Sequence, residues 1–203
     1  MSSPPYLKPY TDAAQRYGGG FNSLLWASRA TQRIRFDALV SLADFADRIV
    51  LDAGAGRGDL MAHLLELNIQ PAQYIALEAV EPLAQAIEAA NYPNCLVVRG
   101  DFIEQPQRLF VGADIIVFSG SLNTLQPDTF YTTLRRAFDA TNQTLIFNFL
   151  CGPTLAAAPH LHWYTRAEVE MFVHSLSDHY EILDGYLEGD CTIRVDKPQV
   201  RTS

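Results

Sequence analysis

The sequence has few cysteines, few positive charges and no long apolar run, and each shortage closes a class of function. Cysteine supplies only 3 of 203 residues. Cys95, Cys151 and Cys191 are odd in number, far apart and in no CxxC pair, which removes a disulfide scaffold and is the usage expected of reduced thiols in the cytoplasm. Lysine and arginine total 15 against 23 acidic residues, a formal net charge of −8. A chain that grips phosphates usually carries the opposite sign, and no basic cluster here exceeds Arg33-Ile34-Arg35 or Arg135-Arg136. Nucleic acid is therefore set aside as a partner. No run approaches the roughly 18 apolar residues of a membrane span, and Met1–Tyr6 lacks the basic-then-apolar pattern of a signal peptide. No membrane association is expected.

What is present is organised around Arg48–Asp59. Ile49-Val50-Leu51 suits a buried strand, Asp52 closes it, and Gly54, Gly56 and Gly58 come next at alternate positions before a helix rich in leucine. Glycine admits positive φ and close backbone approach, and the helix behind offers free N–H groups and the positive end of its dipole. Such a turn is a place for a ligand.

Before it, residues 1–20 read as an irregular arm rich in proline, tyrosine and glycine. A helix is expected from Ser28 to Asp44, with Ser28 as N-cap and Phe36, Leu39, Val40 and Ala43 as its inner face. After it, strands are expected at Ile49–Asp52, Tyr74–Leu77, Cys95–Val98, Asp114–Phe118 and Thr144–Leu150. Helices are expected between them, over 59–68, from Pro82 to Ala90 and from Pro127. The 59–68 helix presents Leu60, Met61, Leu64, Leu65 and Leu67 as one apolar arc, leaving His63 in solvent. Thr165-Arg166-Ala167-Glu168 has the form of a capping box opening one more helix, with His174 on its outer side. Tyr180–Glu188 and Cys191–Val195 read as two strands joined by a tight turn at Gly189-Asp190. The alternation predicts an α/β fold: a doubly wound, mostly parallel seven-stranded sheet, Rossmann-like, with an antiparallel C-terminal strand and an N-terminal helical cap. Residues 1–47 are expected to form the arm and helix that cap the pocket, and 48–203 the ligand-binding domain.

In such sheets ligands lie at the carboxyl ends of the strands, where strand order reverses. Four ends carry small or polar groups here: Asp52-Ala53-Gly54, Glu78-Ala79, Gly100-Asp101-Phe102 and Ser119-Gly120-Ser121. Glu78 stands 20 residues after Gly58, placed to accept from both hydroxyls of a ribose. A dinucleotide site would want G-x-G-x-x-G, but the sixth position counted from Gly54 is Asp59, whose charge would face the phosphates. The run is D-x-G-x-G-x-G, and a carboxylate ahead of the glycines suits a cationic ligand without phosphate.

Val50–Gly58 resembles motif I of class I S-adenosylmethionine-dependent methyltransferases. The resemblance implies S-adenosyl-L-methionine as cofactor. The loop Asp52, Ala53, Gly54 and Gly56 would lie on its methionine part, Glu78 and Ala79 on its ribose, Asp101 and Phe102 on its adenine, and Ser119 beside its amino acid end. It covers residues 48–150 by order and spacing, and the closing strand pair is also similar. Trp26-Ala27-Ser28, Gln32–Phe36, Ser119–Asn123 and Phe147–Leu150 further resemble a small bacterial subgroup, a match that implies nothing about the acceptor.

Methyl transfer from a sulfonium is an in-line displacement that needs alignment and a dry site, and a base only when the acceptor carries a proton at working pH. The candidates for a base are His160 and His162 in the loop Gly152–Tyr164, with ordinary loop histidines as the simpler reading. H-x-H is half of a metal site with no obvious further ligand, so no metal is expected. Tyr17, Asn123 and Tyr164 are assigned to the substrate pocket, and Tyr10 with Tyr17 to a lid. The residues after the fourth strand do not read Asp/Asn-Pro-Pro-Tyr/Phe, which weakens amino methylation of adenine or glutamine, and Cys151 has no basic groove for cytosine chemistry. A small-molecule acceptor leads. A nicotinamide-dependent oxidoreductase and a non-catalytic cofactor-binding module are the alternatives.

Overall fold

The computed structural model describes residues 3–198. Seven strands, β1 (Ile49–Ala53), β2 (Gln73–Glu78), β3 (Cys95–Arg99), β4 (Ile115–Phe118), β5 (Thr144–Leu150), β6 (Tyr180–Leu183) and β7 (Asp190–Asp196), form one sheet. Their order is β3-β2-β1-β4-β5-β7-β6. The first five pair in parallel, and β7 runs antiparallel to both neighbours. The expected sheet is the observed one. Strand order reverses between β1 and β4, so the glycine turn after β1 opens at the crevice where such sheets bind ligands.

Helices cover both faces: α1 (Lys8–Tyr17), α2 (Arg29–Leu42), α3 (Asp59–Glu66), α4 (Glu81–Ala90), α5 (Pro127–Ala140) and α6 (Arg166–His174). On one face Phe130, Leu134 and Ala137 of α5 meet Ile116, Phe118, Phe147 and Phe149 from the sheet. On the other, Phe36, Leu39 and Leu42 of α2 join Leu60, Met61 and Leu64 of α3 over Val50, Val117 and Ile146. Val50, Leu51, Ile116, Val117, Leu145 and Ile146 are wholly buried, as central strands covered on both sides must be. Residues before position 48 thus share a core with residues after it. Ser28 caps α2, and Thr165 with Glu168 forms the capping box of α6, as their spacing predicts.

Four expectations change. The arm is not irregular, because α1 forms over Lys8–Tyr17 with Pro9 in its first turn, where proline gives up no hydrogen bond. The buried face of α2 is rotated to Gln32, Arg35, Phe36, Leu39 and Leu42, so two polar side chains point inward. Leu67 is exposed and His63 buried: α2 lies over the side of α3 that carries His63, whose ring packs against Phe36 and lies 2.9 Å from Asp37. Finally, β6 ends at Leu183, and a longer connection than a tight turn leads to β7.

Candidate functional site

A cavity of about 350 Å3 opens at the carboxyl ends of the central strands, walled by the strand-end loops, by α2 and by residues 6–36. Asp52 ends up there because β1 runs two residues past its last aliphatic position. Its Oδ2 accepts a hydrogen bond from the hydroxyl of Tyr74 on β2 at 2.5 Å, while Oδ1 is buried without a partner. Burial pushes the carboxyl up to about 7, against the lowering effect of Tyr74. A buried acceptor with nothing to accept costs free energy unless a ligand supplies the donor.

The N–H groups of the glycine loop are mostly spent on β2. The N–H groups of Gly54 and Ala55 both donate to the Leu77 carbonyl, that of Gly58 donates to the Ala55 carbonyl, and that of Gly56 donates to Glu78 at 2.8 Å. The glycines' own N–H groups are thus taken, and what is left for an anion is the first turn of α3, where the carboxylate of Asp59 stands. The glycines answer to the protein's own packing: a Cβ on Gly54 would lie 2.4 Å from Cβ of Ser121, and one on Gly56 would lie 2.7 Å from a methyl of Leu24. Both take positive φ, +81° and +59°, which a side chain would strain.

Glu78 closes β2 and is buried. Its two oxygens accept the N–H groups of Gly56 and Val80, at 2.8 and 2.7 Å, leaving a second lone pair on each. Burial dominates here too and pushes the group up to about 7. Asp101, past β3, accepts the Ile103 N–H at Oδ1 and the Tyr6 hydroxyl at Oδ2, both at 2.8 Å. Phe102 lines the cavity and meets Phe118 edge to face. Past β4, Asn148 of β5 accepts the Gly120 N–H at 2.9 Å and donates to the Ser119 hydroxyl at 3.3 Å, fixing that turn from the next strand.

The cavity therefore gathers Asp52, Gly54, Gly56, Glu78, Ala79, Asp101, Phe102, Ser119 and Asn123. Ala53 lies under it, wholly buried, its carbonyl accepting from Ser121. Tyr10 lines it, its hydroxyl pushed up to about 12 by burial and by Glu78. Tyr17 does not: it is exposed at the end of α1 with Arg16 over its ring. Tyr164 does not either. Its ring stacks on Phe130 at 4.1 Å and its hydroxyl donates to the Leu125 carbonyl, so it belongs to the core. His160 and His162 line a neighbouring hollow of about 340 Å3, which shares Tyr6, Thr124 and Leu125 with the main cavity. His162 pairs with Gln126 across 3.1 Å, and neither imidazole lines the main cavity. No group of three potential metal ligands exists among the described residues.

Sequence reasoning missed Tyr74, Asn148, Trp26 and Arg35. Arg35 is buried in the cavity wall, its guanidinium in ionic contact with Asp190 of β7 at 2.5 Å and 4.7 Å from the Trp26 ring. Its signal was spacing: Gln32, Arg35, Phe36 and Leu39 share one helical face, which placed charge where only apolar residues were sought.

No protein-family model matches the chain, and no curated protein matches its sequence. Solved structures match its fold. DhpI in complex with SAH superposes with a TM-score of 0.68 over 97% of both chains at 16% identity. A SAM-dependent methyltransferase from Archaeoglobus fulgidus gives 0.65 at 18% identity, covering 84% of this chain and 95% of that one. The CcbJ methyltransferase from Streptomyces caelestis gives 0.63 at 16% identity, covering 94% and 98%.

Proposed function

We propose that this chain, which has the fold of class I S-adenosylmethionine-dependent methyltransferases, is such an enzyme and methylates a small molecule. The observation that carries the reading is the pairing of a spent glycine loop with an unpartnered carboxylate oxygen. The glycines' N–H groups are taken and the first turn of α3 carries Asp59, while Asp52 Oδ1 is buried, acidic and in need of a donor. A phosphate-free cation satisfies both conditions, whereas the pyrophosphate of a nicotinamide dinucleotide fails the first.

The residues present fit S-adenosylmethionine. Asp52 would hold its ammonium group and Glu78 its ribose hydroxyls through the lone pairs that Gly56 and Val80 leave. Asp101 and Phe102 would border its adenine, and Ser119, held by Asn148, its amino acid end. When bound, this cofactor supplies a methyl group on a sulfonium, from which an acceptor lone pair displaces the neutral thioether. The chain's own share is alignment and exclusion of water. Trp26 packs against Gly120 at the end of β4, and Leu24 against Gly56, so the N-terminal segment forms part of the wall. In this reading residues 1–47 cap the pocket and 48–203 form the catalytic unit. Three free cysteines fit the proposed cytoplasmic location, and no helix among the described residues is long and apolar enough to cross a membrane.

A catalytic role is favoured over a purely binding one because the cavity continues beyond the strand-end acids to Asn123, Leu150 and Leu161. Isothermal titration with S-adenosylmethionine and S-adenosylhomocysteine tests the reading. Saturable binding of both is expected, with no heat from NAD. A folded chain that binds neither would sink it.

A further inference from the structure

Trp26 is held from three sides and still lines the cavity. The guanidinium of Arg35 covers one face of its indole, with the central carbon 4.7 Å from the ring centroid. Cζ2 and Cη2, on the benzo edge, stand 3.0 and 3.3 Å from where a Cβ on Gly120 would lie. Phe36 meets the indole edge to face, with ring centroids 6.4 Å apart. The backing is itself fixed: Arg35 is in ionic contact with Asp190, and Asp190 accepts the Tyr186 hydroxyl. Trp26 is neither buried nor fully exposed. Among the described residues no second cation and no stacked ring pairs with it, so one face of a rigidly backed indole is left open.

A flat ring laid on a fixed indole orders little that was free before, and aromatic pairs are worth more than the area they bury. We propose that Trp26 is the stacking platform for the methyl acceptor, and that the acceptor is an uncharged molecule built on a flat conjugated ring. This rests on the methyltransferase reading and adds the substrate class to it. Trp26 abuts Gly120, the neighbour of Ser119, which that reading sets at the cofactor's amino acid end, where the sulfonium is carried.

The cofactor's own ring is not the occupant. Adenine belongs at Asp101 and Phe102, and Phe102 packs on Phe118 in the core layer beneath α5. Trp26 meets Phe36, which lies in the layer of α2 and α3 on the opposite face of the sheet. A cation is disfavoured, because the guanidinium already draws on the same π electrons from the other face. An anion would meet Asp52, Asp59, Glu78 and Asp101, and Arg35, the one basic side chain among the described lining residues, is taken by Asp190. The cavity beyond the strand-end acids suits a ring instead. Leu125, Leu150 and Leu161 line it, while the Ser121 hydroxyl donates to the Ala53 carbonyl and that of Ser119 accepts from Asn148.

The test uses the full isotope-labelled chain saturated with S-adenosylhomocysteine and four probes: benzyl alcohol, its saturated counterpart cyclohexylmethanol, benzoate and tetramethylammonium. The chain has two tryptophans, Trp26 and Trp163, so two indole N–H signals report on binding, and Trp163→Phe assigns them. Trp163 does not line the cavity and serves as the internal reference. Benzyl alcohol should bind roughly two- to tenfold tighter than cyclohexylmethanol, the range that an aromatic pair adds to burial. Its ring current should move the Trp26 signal and leave that of Trp163 in place. Benzoate and tetramethylammonium should bind more weakly than benzyl alcohol. Trp26→Leu should bring the two alcohols to equal affinity, and Trp26→Phe should keep a reduced preference, whereas a lost wall alone would weaken both alcohols together. Cyclohexylmethanol binding as tightly as benzyl alcohol, an unmoved Trp26 signal, a preference that survives in Trp26→Leu, a charged probe that binds best, or no binding by any probe overturns the proposal. If S-adenosylhomocysteine itself does not bind, the methyltransferase reading fails first, and the same probes on the unloaded chain still decide whether Trp26 is a platform.

Discussion

The hydroxyl of Tyr74 donates to Oδ2 of Asp52 from the neighbouring strand, 2.5 Å away, and so leaves Oδ1 as the free end of the carboxylate. Parallel pairing in register, with Val50 opposite Tyr74 and Asp52 opposite Ala76, lets the long tyrosine side chain reach the acid two residues further along β1. The bond orients the carboxylate and lowers the cost of ionising it.

Asp52→Asn keeps the shape and removes the charge. A hydrogen bond to a charged group contributes about 1.5–3 kcal/mol, so affinity for S-adenosylmethionine should fall roughly 10- to 100-fold. Titration calorimetry gives the ratio. An unchanged affinity would remove Asp52 from the site.

Burial sets the pH dependence. Asp52 and Glu78 are each pushed up to about 7, from the roughly 4 of a solvated carboxyl. Between those values the folded chain keeps protons that the unfolded chain has released, so stability falls as pH rises from about 4 to about 7 and levels off above. Asp190, also raised by its burial, adds to the same trend. The urea midpoint of the ligand-free chain should decline over that window. A cation beside Asp52 opposes protonation, so affinity for S-adenosylmethionine should rise from about pH 5.5 to about 7, with proton release visible at pH 6 in buffers of different ionisation enthalpy.

Two glycines separate strain from space. Gly112 has φ +75° and nothing within 4 Å of an added Cβ, whereas Gly54 has φ +81° and Ser121 at 2.4 Å. Gly112→Ala should cost only the conformational strain, about 1–2 kcal/mol. Gly54→Ala should cost distinctly more and weaken S-adenosylmethionine binding, because Ser121 must move. Urea unfolding beside titration calorimetry checks both.

The Arg35–Asp190 pair is buried, and removing one member of such a pair typically costs about 3–5 kcal/mol. Arg35→Met should show that loss in urea unfolding and make stability fall more steeply as pH rises, because Asp190 loses its cation. Adding Asp190→Asn should restore part of it. Additive losses would show that the two residues are not coupled.

The strands and their ends were legible in the sequence because central parallel strands are short, continuous apolar runs, and each stops at a polar residue that the pattern exposes. Asp52, Glu78, Asp101 and Ser119 could be placed for that reason. Side chains whose burial depends on a distant element could not. His63 has no reason to be inside until α2 lays Phe36 and Asp37 over it. Tyr164 and Tyr17 are alike in composition and differ only in whether α5 offers Phe130 as a stacking partner. The helix α1 was hidden by Pro9 and by a face whose partners, Leu24, Val80 and Leu83, come from other parts of the chain.

Leu24 fills the space that Gly56 leaves, and Trp26 the space that Gly120 leaves. Residues 24–26 and the turns after β1 and β4 are thus two halves of one mould, although nothing in the motif names its counterpart. A fragment beginning at Arg48 would retain every strand-end acid and every glycine of the loop while lacking two of the surfaces cast against them. Protein engineers who trim this chain to its recognisable segment, or graft that segment onto another scaffold, should expect a legible signature around a pocket with missing walls.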